Sequence, residues 1–552
     1  MKGFVRQHVG EIVLVGCILT FVVILLFLQL RRFNLLGAFA FDLGIYQQAV
    51  WQMAQGQPLF NTVRGTHFFG DHFRPIMFLF VSFYRLWAHP FWLFLGQTLA
   101  LGLGALPLYR LALRHTQNFW AACLVVVGYL LHPALFPMPL FDFHSVLLAV
   151  PFLLWAIDAA ERGRPLPFFF AHLMALTCKE DVAVATGSVS LFALLVRRRW
   201  WGSLGLLMSL LWFWVATTLI GKFGGVGQSP YFVLYAHWGK TPTDILFNLL
   251  RQPLPALHAL LFCSGQTSAP GVYPLLLLAP LGFLPLLAPD VLTFGLPSYV
   301  LIVLSERPIM RELGYWHSSL VLPWLMVANA IAWGRLLHWG QTFPPPHRTQ
   351  WHQLLALYWL TCLLFSAWRY GLPTVHRFTH HTLPSEQAQA IRALLGHLIP
   401  PDASVSATSS LVPLLAHRRE IYLFPNPFHP FMWGASEEAL KEQMGRKKIT
   451  LLPPNRFLQR LTQTPVEFIA LMPQTHLGPL RKTDYSALAV SVLTCPAYGV
   501  IAVQDGVIIL QRGADFLLGL RRLGVDASVF SEPQNLLRAV QERWRQLTGE
   551  AQ

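Results

Sequence analysis

Apolar residues along this chain fall into long blocks and do not follow a helical or strand period. The first block covers residues 12–30, behind a short segment carrying Lys2 and Arg6. A helix that crosses a bilayer needs ~20 predominantly apolar residues. Comparable blocks recur at 91–111, 119–136, 146–157, 166–178, 182–196, 201–220, 272–287, 291–304, 318–332 and 354–368. The pattern predicts a mostly α, polytopic bundle of about eleven membrane helices. Residues 77–87 are too short to cross and are placed at the interface, while Pro139, Pro151 and Pro285 blur the edges of neighbouring blocks. The first block reads as a retained helix, because Gln29-Leu30-Arg31-Arg32 offers no small-residue cleavage site.

From residue 371 the pattern changes. Apolar runs become short, and the segment 371–552 holds 18 Lys+Arg and 14 Asp+Glu. Residues 403–408 and 421–424 read as strands. Residues 500–511 read as a hairpin turning on Asp505-Gly506, and 536–547 as a closing amphipathic helix. This predicts a small soluble α/β domain, a lid or acceptor platform, after a membrane domain of residues 1–370. Composition agrees: 54% of residues are hydrophobic and 12% charged, against about 25% charged in soluble domains. Mean hydropathy is +0.47.

The net charge of +15 lies mostly on the membrane half. With the N-terminus cytoplasmic, Arg110, Arg114, Arg162, Arg164, Arg197, Arg198, Arg199, Arg335 and Arg348 fall on inner connections, as the positive-inside rule requires. Arg31 and Arg32 fall outside and run against it. An odd number of spans then puts the tail outside the cytoplasm, in a bacterial inner membrane. Anionic or phosphate-bearing lipid fits such a surface as a partner, and nucleic acid does not. Six scattered cysteines have neither metal nor disulfide spacing.

Acidic residues carry the candidate chemistry. The membrane half has twelve, and eight fall on the outer side: Asp42, Asp71, Asp142, Glu180, Asp181, Asp244, Glu306 and Glu312. Ionisable groups at membrane depth are expensive and usually functional. Asp42 opens the first outer loop (31–90), with Tyr46 and Ala49 on the same helical face if a helix runs through them. It reads as a general base or as a helix N-cap. Asp71-His72 and Asp142-Phe143-His144 pair carboxylates with imidazoles, as ligands for a divalent metal such as Mg or Mn, as phosphate contacts, or as plain hydrogen-bond pairs. Lys179-Glu180-Asp181 puts three charges between two apolar blocks, with Lys179 suited to a phosphate. A second outer loop, 221–271, carries Tyr231, Tyr235 and His237-Trp238-Gly239-Lys240, suited to sugar stacking or an aromatic belt. A capping box is expected from Thr241 to Asp244. Arg307 and Arg311 could bind a phosphate forkwise, or pair with Glu306 and Glu312.

Phe41-Asp42-Leu43-Gly44 with Tyr46, Gln48 and Trp51, then Asp71-His72-Phe73 with Pro75, Phe141-Asp142-Phe143-His144 and Lys179-Glu180-Asp181, resemble a bacterial predicted-membrane-protein family, domain of unknown function 2079. The stretches Ile399-Pro400, Asp402 to Ala407 and His417-Arg418-Arg419 are similar to it as well. That family resembles in turn the GT-C superfamily of membrane glycosyltransferases, which includes protein O-mannosyltransferases and aminoarabinose transferases. The wider resemblance implies Asp42 as catalytic base and a polyprenyl-phosphate sugar as donor on the outer face. It further implies that Tyr46, Lys179, Glu180, Asp181, Arg307 and Arg311 bind substrate, and that Asp71, His72, Asp142 and His144 hold a metal or shape the acceptor site. The loop departs from many relatives in carrying Leu43, not a second acid, beside Asp42. A transporter or flippase for lipid-linked envelope precursors, or a non-catalytic scaffold, are the competing expectations.

Overall fold

A computed structural model describes residues 2–549, apart from 228, 240, 263–271, 435, 437, 440, 442–451, 453, 465, 476–479 and 527–532. Lys240 and Cys263 lie outside the described residues. Helix α1 (Lys2–Asn34) carries the first apolar block. One stripe of it, including Leu14, Ile18, Phe21 and Leu25, is buried. Ile12, Leu19, Val23 and Phe27 face outward, as on a helix with lipid on one side and protein on the other.

Among the described residues, three helices are long and apolar enough to cross a membrane: Gly10–Asn34, Phe91–Thr116 and Gly202–Gly224. A fourth span results if the bent pair Thr243–Arg251 and Pro253–Phe262 is taken as one, and six shorter apolar helices of 10–17 residues accompany them. The eleven full-length spans expected from hydropathy are therefore not reached. Several apolar blocks break into short pieces, many opening on proline, as at Pro280, Pro285, Pro289 and Pro297. Proline starts a helix readily and interrupts one already running. The helix Leu322–Gly340 is buried along most of its length and packs on Ala105–Thr116 in the middle of the bundle.

The loop 31–90 folds into helix α2 (Ile45–Ala54) and a two-stranded ribbon, β1 (Phe60–Asn61) with β2 (Thr66–His67). Nearly all of α2 is buried, Gln47, Gln48 and Gln52 included. Asp42 lies ahead of α2 and not on its face. Its backbone, at φ 73° and ψ −87°, breaks the helical path, and Gly44 takes the N-cap position with no side-chain cap bond. Both the shared helical face with Tyr46 and the capping role are thereby removed. The capping box at Thr241 and Asp244 is present.

The tail builds a five-stranded sheet from β3 (Val405–Ala407), β4 (Ile421–Leu423), β5 (Phe468–Leu471), β6 (Tyr498–Gln504) and β7 (Val507–Arg512), in the order β4-β3-β5-β7-β6. β3 runs parallel to β4 and β5, while β7 is antiparallel to β5 and β6. Asp505 and Gly506 both have positive φ, the two-residue hairpin geometry whose twist matches the strands. Side chains alternate between faces. Ile469, Leu471, Ile508 and Leu510 pack with Tyr485, Val540 and Trp544, whereas Ala470, Val507 and Ile509 join the core shared with the membrane helices.

The sheet unit is fastened to the loop 31–90. Thr62 Oγ1 donates to the Ile421 carbonyl (2.6 Å) and accepts from its amide (2.9 Å). Gln48 donates to the Arg419 carbonyl (3.0 Å) and the Trp433 indole to the Thr62 carbonyl (3.0 Å). Gly65, at φ +71°, sits against Trp433, where an added Cβ would lie 2.2 Å from the ring. Gly65→Ala is expected to destabilise the protein by about 1–3 kcal/mol through overpacking and left-handed backbone strain, read as a lowered melting temperature.

Candidate active site

Asp42, Asp71, His72, His144, Lys179 and Arg307 come from four separate stretches of chain, yet line one cavity of about 70 Å³, together with Tyr46, Arg64, Arg74, Tyr231 and Trp316. It adjoins a second cavity of about 180 Å³, largely apolar, which shares His72, Lys179, Tyr231, Arg307 and Trp316 and adds Glu180, Asp181 and His317. A third, of about 480 Å³, shares Asp42, Arg307 and Trp316 and reaches the tail at Ser409 and Met432.

Asp71 anchors the polar floor. Its Oδ1 accepts from Arg64 Nε (3.0 Å) and the Tyr231 hydroxyl (2.7 Å), and its Oδ2 from Arg74 Nη2 (2.9 Å). Burial pushes this carboxyl up, but the two guanidiniums, His72 and the Tyr231 bond hold it well below the usual carboxylate range. Arg74 also donates to the Tyr46 hydroxyl (2.6 Å) and lies over the Tyr46 and Phe68 rings. Arg64 continues to the carbonyls of Met432 and Gly434, at 2.8 Å each. The floor is thus tied directly to the tail.

Glu180 is held the same way. Its Oε1 meets His72 Nδ1 at 2.6 Å, and its Oε2 accepts from the Phe73 amide at 3.2 Å. His72 stacks on Tyr231 with centroids 4.2 Å apart. Burial raises Glu180, but His72 and Lys179 outweigh it and bring it from 4.5 down to about 2. Carboxyls lowered in this way add stability that is complete above their unfolded pKa and lost as pH falls toward the folded one. Thermal stability is therefore expected to drop between about pH 4.5 and pH 2, and Glu180→Gln to flatten that drop.

Asp142 is buried on Arg32, which explains an arginine at the end of the first span without appeal to topology. It also accepts from the Phe39 amide (3.3 Å). The four residues expected as metal ligands do not form one set. Asp71 and Asp142 are each neutralised by arginine, His72 faces Glu180 and His144 faces Asp42. Among the described residues no group of three or more His, Cys, Asp or Glu could hold a metal. These four residues, as paired here, do not fit a metal centre.

Asp42 is arranged differently. Its side chain is 27% exposed, and its partner is His144, whose Nε2 lies 3.1 Å from Oδ1. Both ring nitrogens of His144 lack a hydrogen bond among the described residues. The imidazole is fixed by stacking on Trp316, centroids 3.5 Å apart. Asp42 thus presents a carboxylate whose acceptor sites are not consumed, on a backbone at φ 73°. Non-glycine residues rarely adopt that conformation, and such strain concentrates at active sites.

Arg307 stands opposite in function. It lines all three cavities, and among the described residues its guanidinium has no ion pair. Burial lowers its pKa, while Asp42 draws it up. Glu306 pairs with His237 and Glu312 with Arg377. Arg311 turns away and donates to the Val303 and Ser305 carbonyls, so it is not part of the cavity wall. Lys179 pairs with Asp181 at 2.8 Å. The smallest cavity is lined by four fixed cations (Arg64, Arg74, Lys179, Arg307) and two carboxylates (Asp42, Asp71). This surplus suits a phosphate. Neither Arg64 nor Trp316 is among the candidates the sequence marks out.

The fold is shared with a protein of solved structure. The chain aligns with the crystal structure of ArnT from Cupriavidus metallidurans bound to undecaprenyl phosphate at a TM-score of 0.50 and 14% identity, covering 91% of this chain and 99% of that one. The apo structure of the same protein aligns at a TM-score of 0.47 and 14% identity, covering 90% and 98%. Residues 32–449 match the family described as Predicted membrane protein (DUF2079), and the chain belongs to that family. No curated protein matches the sequence.

Proposed function

We propose that this protein is a GT-C-type glycosyltransferase that moves a sugar from a polyprenyl-phosphate donor to an acceptor hydroxyl at the outer face of a bacterial inner membrane. In this reading residues 371–552 form an extracytoplasmic domain. The observation that carries the proposal is that Asp42, on a strained turn with only His144 beside its carboxylate, and Arg307, whose guanidinium has no ion pair among the described residues, line the same cavities.

Asp42 takes the proton of the acceptor hydroxyl as its oxygen bonds to the anomeric carbon. The bond from that carbon to the phosphate oxygen breaks on the opposite face, with inversion, and the electron pair leaves on the lipid phosphate. Arg307 and Lys179 stabilise that charge as it develops. The largely apolar cavity of about 180 Å³ receives the donor's first isoprenoid units, a placement supported by the undecaprenyl phosphate bound to ArnT, which shares the fold. Tyr46, Glu180 and Asp181 support the cations and do not touch the reacting atoms.

The test is purified protein in lipid nanodiscs with a panel of polyprenyl-phosphate sugars. Donor binding and slow release of lipid phosphate are expected from the wild type, with binding but no release from Asp42→Asn. Failure of every donor to bind would overturn the proposal in favour of transport or scaffolding.

A further inference from the structure

The cavity of about 480 Å³ shares Asp42 with the smallest cavity, and the proposed transfer uses none of its aromatic walls. Phe39, Phe141, Tyr315 and Trp316 line it, and each remains part exposed. Their rings brace one another. Phe141 meets Tyr315 edge-on at 4.7 Å, and Phe378 packs on both at 5.3 and 5.4 Å. Such edge-to-face contacts fix ring orientation. The rim is polar, with Arg377, His381 and Ser409. The Ser409 hydroxyl accepts from the Ala40 amide (3.2 Å), which leaves its own O–H to donate.

We infer that this cavity is the acceptor site and that the acceptor is a carbohydrate, held by its C–H faces on the aromatic rings with a hydroxyl turned toward Asp42. The inference rests on the reading of Asp42 as the base, and it names the substrate class for the same site. Three observations favour a sugar. Its size falls in the ~300–1,000 Å³ range of small-molecule sites. A sugar also presents apolar faces and hydroxyl edges together, which matches fixed rings beside a rim of hydrogen-bonding groups; an alkyl chain would cover Arg377, His381 and Ser409 and offer them no hydrogen bond in place of water. Peptides captured by strand addition need an open sheet edge, and the edge of β4 at Ile421 is already closed by Thr62.

Saturation-transfer NMR on the full-length protein in nanodiscs, without donor, tests this with a panel of neutral and acidic oligosaccharides. Ring C–H protons of at least one saccharide are expected to saturate. Phe39→Leu and Tyr315→Leu, which keep bulk and remove the aromatic face, are expected to weaken that binding about tenfold each, with melting temperatures checked alongside. Should either variant not fold, the other and the wild-type spectrum still decide. No saccharide signal, or one indifferent to both variants, while donor binding persists, overturns the carbohydrate site and leaves the transferase reading standing. A peptide that binds in place of every saccharide overturns it likewise. Saccharide binding weakened in both variants, without lipid-phosphate release from any donor, keeps the carbohydrate site and removes the transferase, so the two failures are told apart.

Discussion

Asp42→Asn should lower glycosyl transfer by about 10²–10⁴-fold, the usual worth of a general base, while leaving the protein folded. Asparagine matches aspartate in size and is among the few residues that tolerate positive φ. The turn at φ 73° is therefore retained and only the proton acceptor is lost. Little stability is at stake, because Asp42 caps no helix and has no hydrogen bond to His144. The melting temperature should stay within the shift of an ordinary surface change, about 0.5 kcal/mol. Alanine would confuse the result, since strain at the turn would add to the loss of the base. Transfer that survives in the asparagine variant would assign Asp42 a structural part and leave the proton without an acceptor.

Asp71→Asn should do the reverse and cost about 3–5 kcal/mol of stability, the penalty for removing one side of a buried ion pair. Asparagine keeps an oxygen for Tyr231 but no charge for Arg64 and Arg74, both almost fully buried. Two guanidiniums would then sit desolvated and uncompensated. Arg64 also reaches the Met432 and Gly434 carbonyls, so the damage should spread to the docking of the tail. Thermal unfolding and protease sensitivity of residues 371–552 would report both effects. An unchanged melting temperature would mean that the two arginines carry no such burden.

Much of the site could be read in the sequence because charge is scarce in this chain. Asp42, Asp71, Asp142 and Lys179-Glu180-Asp181 stand out among apolar neighbours, and all but Asp142 line the cavities of about 70 and 180 Å³. Their partners could not be read. Asp71 chooses Arg64 and Arg74, and Asp142 chooses Arg32 across 110 positions, because folding decides which cation arrives and no spacing rule encodes it. A metal set was therefore as natural an expectation as ion pairs. Helical periodicity placed Asp42 with Tyr46, but one residue at positive φ resets the path, and periodicity is blind to that. The hairpin at Asp505-Gly506 was legible because its turn chemistry is local. The number of membrane crossings was not, because prolines fragment apolar blocks whose total hydropathy is unchanged.

The clasp between the loop 31–90 and the tail has a consequence for how the molecule is made. Thr62 is joined to Ile421, and Arg64 to Met432 and Gly434, over 359 to 370 positions of sequence. A ribosome releases Asp42 and its turn long before the residues that hold them in place. Until the last third of the chain has been synthesised and has docked, the loop lacks one wall and Arg64 lacks its carbonyl partners. An unfinished or truncated product would therefore carry the base but not the chamber around it. Synthesis order alone would keep a half-built protein from presenting the complete cavity.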